Sequence, residues 1–158
     1  MSLSPTALRQ AREAALQMLY SWEMSGSDLP DAIASVQSLQ LRLPDPSRDR
    51  LAVELARGTA LNLARIDPLI ADAAKNWRIE RLAILDRLVL RLATFELLER
   101  PEVPAAAVIN EALELARGFS GPEAVRFVNG VLDAIRRRLE EERANPAAAG
   151  PGGAEPDA

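Results

Sequence analysis

The chain has no cysteine and no histidine, and Lys75 is its single lysine. Without cysteine there is no disulfide framework and no thiolate chemistry. Without histidine, Ser–His and Cys–His nucleophile pairs, imidazole-bound metals and the commonest general base all disappear. Carboxylate or lysine chemistry stays open, but no motif groups the acids into a cation site. The absences point away from an enzyme, and neither metal nor cofactor is expected. No apolar run approaches the roughly 20 residues of a membrane span. The opening MSLSPTALRQAREAALQ lacks the charged n-region and apolar h-region of a signal peptide, so a cytoplasmic location is the expectation. Positive charge is also in deficit: the net charge is −4 and the pI about 5.0. That is the wrong sign for a protein holding nucleic acid by phosphate neutralisation alone. A nucleic-acid role then requires a local patch or charge borrowed from a partner.

What is present is helical periodicity throughout, with no alternating strand pattern. The first helix is expected to open with Ser4 as N-cap and Pro5 at the first helical position, and to stop at Gly26. A second follows Pro30 with Ile33, Val36 and Leu39 as apolar positions. A third runs from Ser47 to about Ile66 with Leu51, Leu55, Leu61 and Leu63. A fourth restarts with Asp67 as cap and Pro68 as first residue. The chain turns around Asn76–Glu80, the expected subdomain boundary. A fifth helix (81–99) is apolar nearly all round, the mark of burial on most sides. The sixth spans Pro104 to Phe119, and the seventh runs from Pro122 to about Arg143. The last residues, rich in Pro, Gly and Ala, cannot bury a core and read as disordered. The fold class is therefore all-α, about seven short helices.

A few positions sit off the apolar stripes. On a helical wheel centred on Val128, Phe127 lies about 100° away at the rim, with Glu123 and Gly130 beside it and Asn129 on the opposite rim. Either Phe127 packs on a neighbouring helix and Gly130 allows a close crossing, or the pair faces a ligand. In the first helix, Tyr20 projects on the face of Arg9, Glu13 and Leu16. An outward aromatic with an arginine is the composition of a nucleic-acid footprint; an Arg9–Glu13 pair with Tyr20 lying on Leu16 is the alternative. The fifth helix carries a narrow polar strip of Glu80, Arg87, Arg91 and Thr94. It reads equally as a protein or RNA contact and as snorkelling side chains.

The segments AREAALQMLYSWE (11–23), LDRLVLRLATFELLERPEVPAAAVINEALELA (85–116) and FVNGVLD (127–133), in this order and separation, resemble the bacterial transcription antitermination factor NusB family. The resemblance implies one helical RNA-binding domain over 1–143, built of two packed subdomains (about 1–76 and 77–143), and a disordered tail over 144–158. It implies a non-enzymatic factor that binds the boxA element of ribosomal RNA transcripts as a heterodimer with NusE, a small-subunit ribosomal protein. The pair supports processive transcription within an RNA polymerase antitermination complex. Carried over by position, Arg9 and Arg12 approach RNA, with Tyr20, Phe127 and Asn129 at the same surface. Asp86, Arg91 and Glu123, with Arg87 of the same strip, fall toward the partner. The amino-terminal arm departs from the family's arginine cluster: it reads LRQAR, with Leu8 and Gln10 at two expected cations. Fewer phosphate contacts predict a shallower salt dependence. A helical protein-interaction scaffold without RNA binding is the rival reading. Outward apolar residues such as Leu16 leave room for a homodimer of the free protein.

Overall fold

The computed structural model describes residues 3–39, 43–75 and 82–145. Within them the chain forms seven α-helices and no strand. Helix α1 spans Pro5–Ser25. Ser4 caps it, accepting from the Ala7 N–H at 3.1 Å, and Gly26 ends it in the left-handed region at φ 69°. Glycine meets that conformation without steric cost, and the cap satisfies one of the orphan donors of the first turn. Helix α2 is Leu29–Ser38, with Ile33 and Val36 buried as the spacing predicts. Leu39 is not on that face: it lies past the helix end and is 74% exposed.

The third and fourth helices correct the expected boundary. Helix α3 is Pro46–Leu61, capped by Asp45, whose carboxylate accepts from the Arg48 N–H at 3.2 Å. It ends at Asn62, and α4 runs Leu63–Ala74, so Pro68 is interior rather than first. Asn62 makes the break. Its side-chain amide donates back to the Gly58 carbonyl at 2.7 Å while its own carbonyl accepts from Arg65 and Ile66. Pro68 removes the bond to the Ala64 carbonyl, and both residues are exposed, so water can serve that oxygen. Leu61 lies about 200° round the helix from buried Thr59 and is exposed, not core.

Helices α5 (Ile84–Glu99), α6 (Ala105–Arg117) and α7 (Pro122–Ala144) complete the fold. The expected boundary near residues 76–77, the polar-strip residue Glu80 and most of the tail fall outside the described residues. Helix α5 is central. It packs on α1, α3 and α4 from one half of the chain and on α6 and α7 from the other. Leu88, Val89, Leu90 and Leu92 are all buried, which explains why its sequence is apolar nearly all round. Burying a Leu or Val of this kind stabilises the fold by about 1.5–3 kcal/mol. The α3–α5 crossing is close: a Cβ at Gly58 would overlap the Phe95 ring. On α7, Val125, Val128, Val131, Leu132, Ile135 and Leu139 form the buried stripe that the wheel places there.

Candidate nucleic-acid and partner interface

Helix α1 is packed on two sides, by α2 and α3 and by α5, and this decides what it can present. Arg9 is on its open side, with the side chain 53% exposed. Its guanidinium makes a bidentate pair with Glu111 of α6, both bonds 2.9 Å, rather than the expected local pair with Glu13. The hydrogen bonds raise the Arg9 pKa above its ordinary value and hold the Glu111 carboxyl below its own. A fork of this exposure can exchange one oxyanion for another.

Arg12 differs. It faces α5, is buried, and its guanidinium is held bidentately by the Glu96 carboxylate at 2.8 and 2.9 Å. Burial works against its charge, but the bonds and charge of Glu96, with Glu111 further off, outweigh it and the pKa lies above normal. The expected phosphate contact at Arg12 is therefore corrected: the side chain is an internal tie between α1 and α5. Leu16 is likewise buried and offers no outward apolar surface for a homodimer. Tyr20 is 40% exposed, as its wheel position predicts.

On α7, Phe127 is half-buried against the core, while Arg126, Asn129 and Gly130 are exposed. Among the described residues no helix crosses at Gly130: a Cβ built there meets nothing within 4 Å. The packing explanation for this glycine fails, and its helix cost of about 1 kcal/mol has no offset within the described residues. Among the described residues, the side chains of Asn129 and Glu123 make no hydrogen bond or ion pair.

The fifth-helix strip is mostly occupied. Arg91 forks onto Asp67 at 2.9 Å through two bonds and lies 3.7 Å from Glu23. Arg87 reaches Glu23 at 3.2 Å. Thr94 is fully buried, so it does not belong to a polar strip. Asp86 is buried too, accepting from the Ser120 hydroxyl at 2.5 Å, so it anchors the α6–α7 turn instead of facing a partner. Phe119, expected on the α6 core face, stands in that turn 38% exposed, near Glu123 in sequence. The structure thus leaves Arg9, Tyr20, Asn129 and Glu123 exposed and Phe127 half-buried, and turns Arg12 and Asp86 inward.

The acids that complete these arrangements, Glu96, Glu111, Asp67 and Glu23, were not singled out as ionic partners. Glu96 carried a usable signal, since a carboxylate between apolar neighbours on a helix buried nearly all round needs a cation. Among the described residues, no group of acids could hold a metal ion and no helix is long and apolar enough to cross a membrane.

Comparison with known proteins agrees with this architecture. The transcription antitermination protein NusB of Solibacter usitatus is 45% identical over 139 residues, 88% of this chain and 94% of that one. That of Sorangium cellulosum is 46% identical over 129 residues, 81% and 90% of the two chains. The T. maritima NusB structure superposes with a TM-score of 0.74 at 33% identity, covering 87% of this chain and 93% of that one. A crystal structure of antitermination factors NusB and NusE in complex with dsRNA superposes with a TM-score of 0.78, over 85% and 99% of the chains, at 24% identity that supports the fold alone. The NusB family model matches residues 9–137, and the chain belongs to the NusB family.

Proposed function

We propose that this chain is a non-enzymatic transcription antitermination factor that binds boxA-like RNA of ribosomal transcripts together with NusE, within an RNA polymerase antitermination complex. The observation that carries the reading is the exposed face of α7 around Asn129 and Gly130. Asn129 and Gly130 are exposed beside half-buried Phe127, and the mid-helix Gly130, which costs stability, meets no packing neighbour among the described residues. In this reading Phe127 and Tyr20 meet bases or sugars, Asn129 meets a base edge or the backbone, and Arg9 exchanges Glu111 for phosphate. Glu123 and the exposed Phe119 face the partner, with the Arg87–Glu23 and Arg91–Asp67 pairs at the rim. The functional domain is 1–143, with the core shared by its halves.

The net charge of −4 makes the partner's contribution to RNA affinity large. The test is a titration of labelled boxA-like RNA with the chain alone and with NusE, at moderate salt, against a scrambled RNA. Preference for the boxA-like strand in the presence of NusE supports the reading. Equal binding of the two RNAs in both conditions sinks it and leaves a protein-interaction scaffold, the reading that the acidic pI favours.

A further inference from the structure

Helix α1 begins with a single outward side-chain cation. In Leu8-Arg9-Gln10-Ala11-Arg12, Leu8 and Gln10 carry no charge and Arg12 is turned inward onto Glu96, which leaves Arg9. Any phosphate contact made by a side chain of this stretch therefore passes through the Arg9 guanidinium. That guanidinium is occupied. Its Nε and Nη2 donate to the two carboxylate oxygens of Glu111, each at 2.9 Å. Two parallel N–H···O bonds are also the geometry in which arginine takes a phosphate, so an internal oxyanion fills the place of an RNA oxyanion.

The surroundings of Arg9 favour exchange over sharing. Glu114 and Glu13 add their charge to that of Glu111 at the guanidinium, so three carboxylates act on one cation. A phosphate placed beside Glu111 on the same guanidinium meets that negative field, whereas one that displaces Glu111 is relieved of its nearest part. With side chains 53% and 24% exposed, the pair itself belongs to the class of weak ion pairs. Glu111 is not stranded by the exchange. It feels the positive charge of Arg12, as Arg12 feels its negative one, and both residues line one cleft beside the start of α1. A displaced Glu111 therefore stays within the field of a second arginine.

We propose that Glu111 is an affinity-setting residue for RNA: it stands in for phosphate at Arg9 in the free chain, and RNA displaces it to engage α1. The proposal rests on the RNA-binding reading above and gives that surface a built-in competitor. Glu111 acts through Arg9 and not on the RNA, so its effect disappears when Arg9 is removed. Because the fork crosses from α1 to α6, RNA binding also opens a tie between these helices, and the Arg12–Glu96 pair keeps α1 on α5.

The test uses the full chain with NusE and labelled boxA-like and scrambled single-stranded RNAs at moderate salt. Wild type is compared with Glu111→Gln, Glu111→Ala, Arg9→Ala and the Arg9→Ala/Glu111→Gln double variant, each first shown to be folded by circular dichroism. Glu111→Gln should tighten binding of the boxA-like RNA by about two- to fivefold, the worth of an exposed ion pair that no longer has to be broken. Glu111→Ala should gain at least as much. In the Arg9→Ala background most of the gain should vanish, because the group competed for is gone. The Arg9 Nε–H resonance of the 15N-labelled chain gives a second readout. Free wild type and free Glu111→Gln should differ there, and saturating boxA-like RNA with NusE should bring them to one position. A gain of equal size without Arg9 makes Glu111 a mere source of repulsion and overturns the proposal. So does a loss of affinity in Glu111→Gln, or a bound-state Nε–H difference, since either leaves Glu111 orienting Arg9 within the complex. If the boxA-like RNA is preferred but Glu111→Gln and Glu111→Ala bind it as wild type does, the competitor fails and the RNA reading stands. If wild type and every variant bind both RNAs equally, the RNA reading fails and the competitor with it.

Discussion

Replacing Arg12 by alanine separates an internal tie from an RNA contact. The variant would leave the Glu96 carboxylate, only 2% exposed, without its two short bonds. Breaking a buried ion pair by removing one partner costs about 3–5 kcal/mol. Arg100, whose Nη1 lies 3.6 Å from Glu96, retains part of the compensation, which places the expected loss near the lower end, about 3 kcal/mol. Against a total stability of about 5–15 kcal/mol the variant should still fold. With a urea m-value of about 2 kcal/mol per molar, its midpoint should fall by about 1.5 M. Converting both residues, Arg12→Met with Glu96→Leu, should recover most of the loss because no buried charge remains. Under conditions where Arg12→Ala is folded, the salt slope of RNA binding should match wild type. A midpoint shift under about 0.3 M, together with a reduced salt slope, would refute the assignment and return Arg12 to the phosphate-facing set.

Gly58→Ala should destabilise the protein by about 1–3 kcal/mol in denaturant titration, because the new methyl group meets the Phe95 ring where α3 crosses α5. Thr94→Val should be neutral or stabilising by about 1 kcal/mol, since the Thr94 hydroxyl is buried with no hydrogen bond and valine keeps the shape. The Glu111 and Asp133 carboxyls are held below their ordinary values of 4.5 and 3.8, mainly by hydrogen bonds from Arg9 and Arg136. Their stabilising contribution is therefore present at neutral pH and is lost as pH falls through the depressed folded-state values. Urea midpoints should be flat from pH 7 to 5 and drop below about pH 4, and Glu111→Gln should remove part of that drop.

Local signals carried most of the fold. Ser4, Pro5 and Gly26 delimit α1 as their chemistry requires, and the apolar stripe of α7 is the one that spacing predicts. The misplaced α3–α4 break has a specific cause. Asp67-Pro68 has the form of a helix start, but the Asp67 carboxylate is taken by Arg91 from α5, and the break belongs to Asn62. Exposure was legible only where a helix packs on one side. Helix α1 packs on two, so Leu16, about 100° from the stripe centre at Ala15, is buried as well, and Arg12, on the edge of the stripe, is tied to α5. Ionic partners were the least legible. Arg9 meets Glu111 across 102 residues of sequence and Arg12 meets Glu96 across 84, separations at which no helical periodicity operates.

We propose that Arg9, Tyr20, Phe127 and Asn129 form the face that meets RNA with NusE. Amide NMR of the 15N-labelled chain, recorded free, with NusE, and with NusE and boxA-like RNA, maps that face residue by residue. RNA added to the heterodimer is predicted to shift the amides around Arg9, Tyr20 and Phe127–Gly130, leaving those of α2 unchanged. Shifts confined to α2 and α4, with residues 127–130 unmoved at saturating RNA, would contradict it.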